Sequence, residues 1–324
     1  MSNDIKTIGI LTSGGDAPGM NSAIRAVTRA AIYKGMRVMG IRRGYNGLIN
    51  GDMYEMHIRS VSEIIHRGGT ILYTARCKEF TTEEGLERAK QVCIENGIDG
   101  LVTIGGDGTF RGALDMCDRG ISCIGIPGTI DNDIACSDYT IGFDTAMNTA
   151  MELVDKLRDT TQSHNRCSVV EVMGHNSGHL AMNIGVACGA LSIIVPEKEF
   201  DIERDVVSRM LHTVRTGKKH FIVILSEGCA GANELAQEIE RHTGIDTRAT
   251  ILGHVQRGGR PTIQDRVMAS EMGFHAVNLL EQGIGNRVVA YREGKITDFD
   301  ITEALAMSKS INSNLLEMSQ MISV

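Results

Sequence analysis

Ile104-Gly105-Gly106-Asp107-Gly108-Thr109 and Ile126-Pro127-Gly128-Thr129-Ile130-Asp131-Asn132-Asp133 decide how this chain folds. Each stretch closes a short apolar run, 101–104 and 121–126, that predicts a buried strand. Each then sets glycine and carboxylate where the strand ends. In an open α/β sheet that edge is where ligands bind. Glycines let backbone amides approach phosphate oxygens, and aspartates can hold Mg²⁺ or take a proton. Two such turns in succession point to phosphoryl transfer.

The same pattern extends in both directions. Runs at 8–11 and 38–41 predict strands, with a helix over 20–34 between them, and helices follow at 82–96 and 109–117. The longest helical pattern, 144–159, carries Ala146, Thr149, Ala150, Leu153 and Leu157 at helical spacing. Beyond it strands at 168–172, 192–195, 221–225, 247–252 and 287–290 alternate with helices at 177–188, 202–215, 233–241 and 263–281. Repeated β–α alternation implies mostly parallel sheets covered by helices. We therefore expect an α/β fold of two Rossmann-like lobes, 1–143 and 144–324, with a cleft between them.

Composition agrees with that class. The 324 residues are 42% hydrophobic but only 4% aromatic and lack Trp, so the core must rest on aliphatic side chains, Met and Ala. The formal net charge of −7 argues against a nucleic-acid partner, which needs a basic face. The eight cysteines show neither a C-x-x-C pair nor zinc spacing, as expected of reduced thiols. No signal-peptide pattern opens the chain and no apolar run approaches membrane-spanning length, so a cytoplasmic protein with no membrane partner is expected.

A third glycine turn, Thr12-Ser13-Gly14-Gly15-Asp16, follows the first strand and suits an anion site at a helix start. It fits neither G-x-G-x-x-G nor the P-loop pattern. Asp107 suits a Mg²⁺ ligand among amides facing a polyphosphate; the plainer alternative is a helix cap. Asp131 and Asp133, two apart, would share a face in extended chain. Transfer to an alcohol needs one such carboxylate to accept the hydroxyl proton. In the second lobe Arg166, Arg248 and the glycine-rich basic run 253–259 suit a bound phosphate, and Glu227 could bond hydroxyls.

On these motifs, together with 67–76 (RGGTILYTAR), 168–174 (SVVEVMG) and 247–259 (TRATILGHVQRGG), the chain resembles the bacterial ATP-dependent 6-phosphofructokinases along essentially its whole length. The resemblance implies transfer of the ATP γ-phosphoryl group to the 1-hydroxyl of fructose 6-phosphate, a glycolytic step. It makes Asp131 the general base, with Thr129, Asp133 and Arg76 beside it. It gives Mg²⁺ to Asp107, and ATP to Gly15, Arg76, Cys77, Gly106, Asp107, Gly108 and Thr109. Thr129, Ile130, Asp131, Met173, Gly174, His175, Glu227, His254 and Arg257 would meet the sugar phosphate. Arg166 and Arg248 would reach it from a neighbouring subunit, which implies a homotetramer. The first lobe is then the ATP and Mg²⁺ lobe and the second the sugar-phosphate lobe, with the C-terminal segment packing back on the first.

Relatives that use pyrophosphate carry Asp where Gly108 stands and Lys where Gly128 stands, so ATP is the expected donor. The chain also departs from the family. His175 stands where Arg is usual and His179 where Asp is usual, which implies a weaker, pH-dependent substitute near the transferring phosphate. Their four-residue spacing would pair them on a helix, but the sequence supplies no third metal ligand. At the family's site for ADP and phosphoenolpyruvate, Arg25, Arg29, Arg158 and Lys218 remain. Ile58, Leu191 and Thr216 replace Arg, Glu and Lys there, so weakened effector control is expected. Two other readings stand beside this one: the same chemistry with pyrophosphate or sedoheptulose 7-phosphate, and a non-catalytic regulatory paralogue.

Overall fold

The computed structural model describes residues 5–323. They form two compact units. The first holds the described residues up to Ile130, then Ile134–Thr145 and Arg257–Lys309. The second holds Asp131–Asp133, Ala146–Gln256 and the described residues from Ser310.

The first unit is built on a seven-stranded sheet. Its strands are β1 (Thr7–Thr12), β2 (Arg37–Ile41), β3 (Met53–Glu55), β4 (Gly100–Gly105), β5 (Ser122–Pro127), β10 (Arg287–Arg292) and β11 (Lys295–Asp300). Their order is β11-β10-β5-β4-β1-β2-β3. The five inner strands are parallel, and β3 and β11 close the edges antiparallel. Every residue of β1 and β4 is buried, as expected of parallel strands covered on both faces. The covering helices are α1 (Met20–Tyr33), α2 (Gly44–Asn50), α3 (Glu83–Glu95), α4 (Asp107–Cys117), α9 (Ile263–Glu281) and α10 (Ile301–Ala306). Thr82 caps α3, its side chain accepting from the Gly85 N–H at 3.1 Å, as the Thr and Glu opening predicts. Gly273 lets α9 lie close against α1, since a Cβ there would sit 2.9 Å from that of Ala26.

α5 (Phe143–Ser163) carries the chain into the second unit, whose four-stranded sheet is entirely parallel. β6 (Cys167–Val172), β7 (Ser192–Ile194), β8 (Phe221–Ser226) and β9 (Thr247–Ile251) are ordered β7-β8-β6-β9. Helices α6 (His179–Ala187), α7 (Ser208–Arg215), α8 (Ala232–Thr243) and α11 (Ser313–Ile322) belong to this unit. Val169, Phe221, Val223, Leu225 and Ile239 pack in its core.

The expected alternation is present, with three differences. The helix expected over 202–215 is a π-helical turn, Glu203–Val207, leading into α7. The helix expected from 177 starts at His179. The edge strands β3 and β11 and the short helices α2, α10 and α11 are further elements that the sequence reading did not include. All eight cysteines are free thiols. Among the described residues no helix is long and apolar enough to cross a membrane.

Candidate active site

β1, β4 and β5 are neighbours in the first sheet, so the three glycine turns leave adjacent strand ends. Pairing continues past the strands: the Ser13 N–H donates to Ile104 O at 3.0 Å and the Gly128 N–H to Gly105 O at 2.9 Å. Gly14 has φ +85°, a backbone that favours glycine. Gly105 is required sterically, because a Cβ would lie 2.3 Å from Thr109 Oγ1 and 2.4 Å from Ser13 O. Gly106 and Gly108 differ, since a Cβ on either meets no atom within 4 Å. Asp107 and Gly108 are exposed where α4 begins. A helix start with one carboxylate and two glycines open to solvent fits a Mg²⁺-bound polyphosphate.

Buried side chains hold these turns. The Tyr45 hydroxyl donates to Thr109 O at 2.6 Å, and burial pushes its phenol far above the ordinary range, so it stays a donor. Thr109 Oγ1 donates to Ser13 O at 3.2 Å. Asn21 is 1% exposed; its amide donates to Arg67 O and Gly68 O and accepts from the Ile71 N–H. Thr12 Oγ1 donates to Tyr73 O at 2.7 Å, and Thr74 Oγ1 to Gly14 O at 2.6 Å. The segment leading to exposed Arg76 and half-buried Cys77 therefore runs alongside the first glycine turn. Arg257 comes to the same turn: its Nη1 donates to Asp16 O at 3.2 Å, and a Cβ on Gly15 would lie 2.4 Å from it.

After β5, Thr140 Oγ1 donates to Thr129 O at 2.6 Å and Ile130 is fully buried. The expectation that Asp131 and Asp133 share a face fails. Asn132 between them has φ +51°, which breaks the extended alternation. Asp131 is 8% exposed, whereas Asp133 is open to solvent. Asp265, fully buried on α9, braces the following loop by accepting from the Gly142 N–H, the Thr145 N–H and hydroxyl, and the Tyr139 hydroxyl. Burial raises its carboxyl, and those donors oppose the rise. Asp265 lies three residues after the Thr262 cap of α9 and has no motif around it.

In the second unit Met173, Gly174 and His175 follow β6 in a turn, with Gly174 at φ +149° and His175 at φ +55°. Glu227 Oε1 accepts from the Gly174 N–H at 3.0 Å and the His175 N–H at 2.7 Å. Gln256 Oε1 accepts from the Met173 N–H at 2.8 Å. His175 lies outside α6 and is exposed, while His179 is its buried first residue, so helical spacing does not pair them. Among the described residues no cluster of three His, Cys, Asp or Glu could hold a metal ion by itself. His254 is exposed in the 3₁₀ turn Gly253–Arg257.

Arg166 and Arg248 lie at the other edge of this sheet, where β6 and β9 begin, and both pair with Asp246, Arg248 at 3.0 Å. The length of β6, roughly 20 Å at about 3.3 Å per residue, separates them from Met173. The expected effector cations fall in two places. Arg25 and Arg29 lie half-buried on one face of α1 in the first unit. Arg158 donates to Cys188 O, and Lys218 Nζ lies 3.5 Å from Ser323 O, its ammonium pKa lowered by burial and by Arg158. Leu191 is buried in the core of the second unit, Thr216 follows α7 with its hydroxyl bonded to Thr213 O, and Ile58 is half exposed.

A family model described as phosphofructokinase matches residues 7–280. The chain is similar to the ATP-dependent 6-phosphofructokinase of Clostridium botulinum strain Hall, at 57% identity over 98% of this chain and 100% of that protein. The protein of the same name from Clostridioides difficile strain 630 is 53% identical over 99% of this chain and 100% of its own length. Among solved structures, phosphofructokinase from Saccharomyces cerevisiae superposes with a TM-score of 0.89 at 33% identity over 98% of this chain. The chain spans 48% of that longer yeast chain.

Proposed function

The chain belongs to the phosphofructokinase family, and on that premise we infer that it transfers the γ-phosphoryl group of ATP to the 1-hydroxyl of fructose 6-phosphate. The products are fructose 1,6-bisphosphate and ADP. The observation that carries the division of labour is the pairing of β4 with β5. It sets an exposed carboxylate among open glycines, at Asp107, beside a turn that leads to a buried one, Asp131. As the new P–O bond forms, the hydroxyl must lose its proton, and Asp131 accepts it. Thr129, Ile130 and Asp133 flank that exchange. Gly15, Arg76, Cys77, Gly106, Gly108 and Thr109 hold the nucleotide, with Arg76 also countering charge on the phosphates. Mg²⁺ held by Asp107 would offset the charge of the phosphate oxygens.

Met173, Gly174, His175, Glu227, His254 and Arg257 bind the sugar phosphate. Arg166 and Arg248 serve the site of a second copy, because β6 separates them from Met173 by more than one sugar phosphate spans. This supports a homo-oligomer, with a tetramer as the family expectation. Arg25, Arg29, Arg158 and Lys218 bind an anionic effector, ADP or phosphoenolpyruvate, weakly for want of charge at Ile58, Leu191 and Thr216. A cytoplasmic location follows from the same reading. A donor screen on purified protein tests the reaction: ATP should support phosphorylation of fructose 6-phosphate and pyrophosphate should not. Turnover with pyrophosphate alone, or with no donor at all, would overturn it.

A further inference from the structure

Gln256 is fully buried, a rare place for an amide side chain. Its Oε1 faces the Met173 N–H at 2.8 Å. That donor fixes which way the amide points, since only the oxygen can accept. Nε2 is therefore turned away, and among the described residues it is buried without a hydrogen-bond partner. A buried, unpaired amide group is destabilising, and an apolar side chain of similar volume would fill the space without it. Packing alone does not account for glutamine here.

The oxygen does something a leucine cannot. At Met173 the chain leaves β6 and its ladder partners, and the next three N–H groups need acceptors. Gln256 takes the first; Glu227 takes those of Gly174 and His175. The turn they support is strained, with left-handed backbone at a non-glycine residue, His175, and so depends on outside support. We propose that Gln256 is a positioning residue of the sugar-phosphate site, holding the Met173 backbone so that the turn 173–175 stands in its binding conformation before the ligand arrives. This rests on the reading of Met173 and its neighbours as sugar-phosphate residues.

The test compares calorimetric binding of fructose 6-phosphate, steady-state KM values for both substrates and melting temperature in full-length protein. Gln256→Leu should weaken fructose 6-phosphate binding at least about tenfold, leaving the KM for ATP within about twofold and the melting temperature close to wild type. Gln256→Glu keeps an oxygen before the Met173 N–H and should restore most of the affinity. If the leucine variant does not fold, Gln256→Asn, whose shorter side chain withdraws the oxygen, replaces it under the same criteria. Unchanged affinity, parallel loss for both substrates, or failure of the glutamate to rescue would overturn the proposal. Wild-type protein that binds no fructose 6-phosphate would instead overturn the reading beneath it.

Discussion

At Gly108 a Cβ meets no atom within 4 Å, whereas at Gly128 it would lie 3.0 Å from Ile104 Cγ2 and 3.3 Å from Met20 Cε. The two glycines therefore differ in what a side chain would meet. Gly128 is held by its own packing. Gly108 is free in the protein alone, so on the proposed reading it is a bound nucleotide that would exclude a side chain there. Gly108→Asp should therefore fold and melt like the wild type while kcat/KM for ATP falls at least about tenfold, since a carboxylate would stand against phosphate charge. A large drop in melting temperature with unchanged nucleotide kinetics would contradict this. The glycine turns themselves were legible in sequence because each closes a continuous apolar run that forms a strand. The relation of Asp131 to Asp133 was not, because the left-handed Asn132 between them leaves no mark in spacing.

The central parallel strands were legible as elements because burial on both faces makes a continuous apolar run, whereas β9, Thr-Arg-Ala-Thr-Ile, is half exposed. The hairpin of β10 and β11 was legible only in its first strand: β11, Lys-Ile-Thr-Asp-Phe-Asp, is a half-buried edge. Its pairing also depends on charge. Asp298 accepts from Arg287 across the hairpin at 2.6 Å and bonds His275 on α9 at 2.8 Å. Partial burial pushes its carboxyl up, but those two partners outweigh it and hold the carboxyl below its ordinary value of 3.8. A depressed carboxylate stabilises the fold above its unfolded pKa and loses that contribution as pH falls through the folded one. The difference in melting temperature between wild type and Asp298→Asn should thus be largest near neutrality and shrink below about pH 4. A difference that grows on acidification would contradict the pairing. Asp265 escaped the sequence reading for a related reason, since a lone polar side chain brought into a core by distant segments has no local pattern; Gln256 lies inside the run 253–259, but nothing in that run marks its burial.

For the whole molecule, if Arg166 serves the site of a second copy as proposed, an isolated chain is an incomplete enzyme. Arg166→Ser and Asp131→Ser proteins, each nearly inactive, should regain activity when mixed under dissociating conditions and reassembled, because some hybrid sites receive both native residues. No regain would mean that each chain completes its own site. The account as a whole stands on phosphoryl transfer from ATP with Asp131 as the proton acceptor. The most direct measurement is steady-state and binding analysis of Asp131→Ser with ATP and fructose 6-phosphate. Removal of a general base predicts a fall in kcat of at least about 100-fold with both ligands still bound. A kcat within a few-fold of wild type would contradict the central claim.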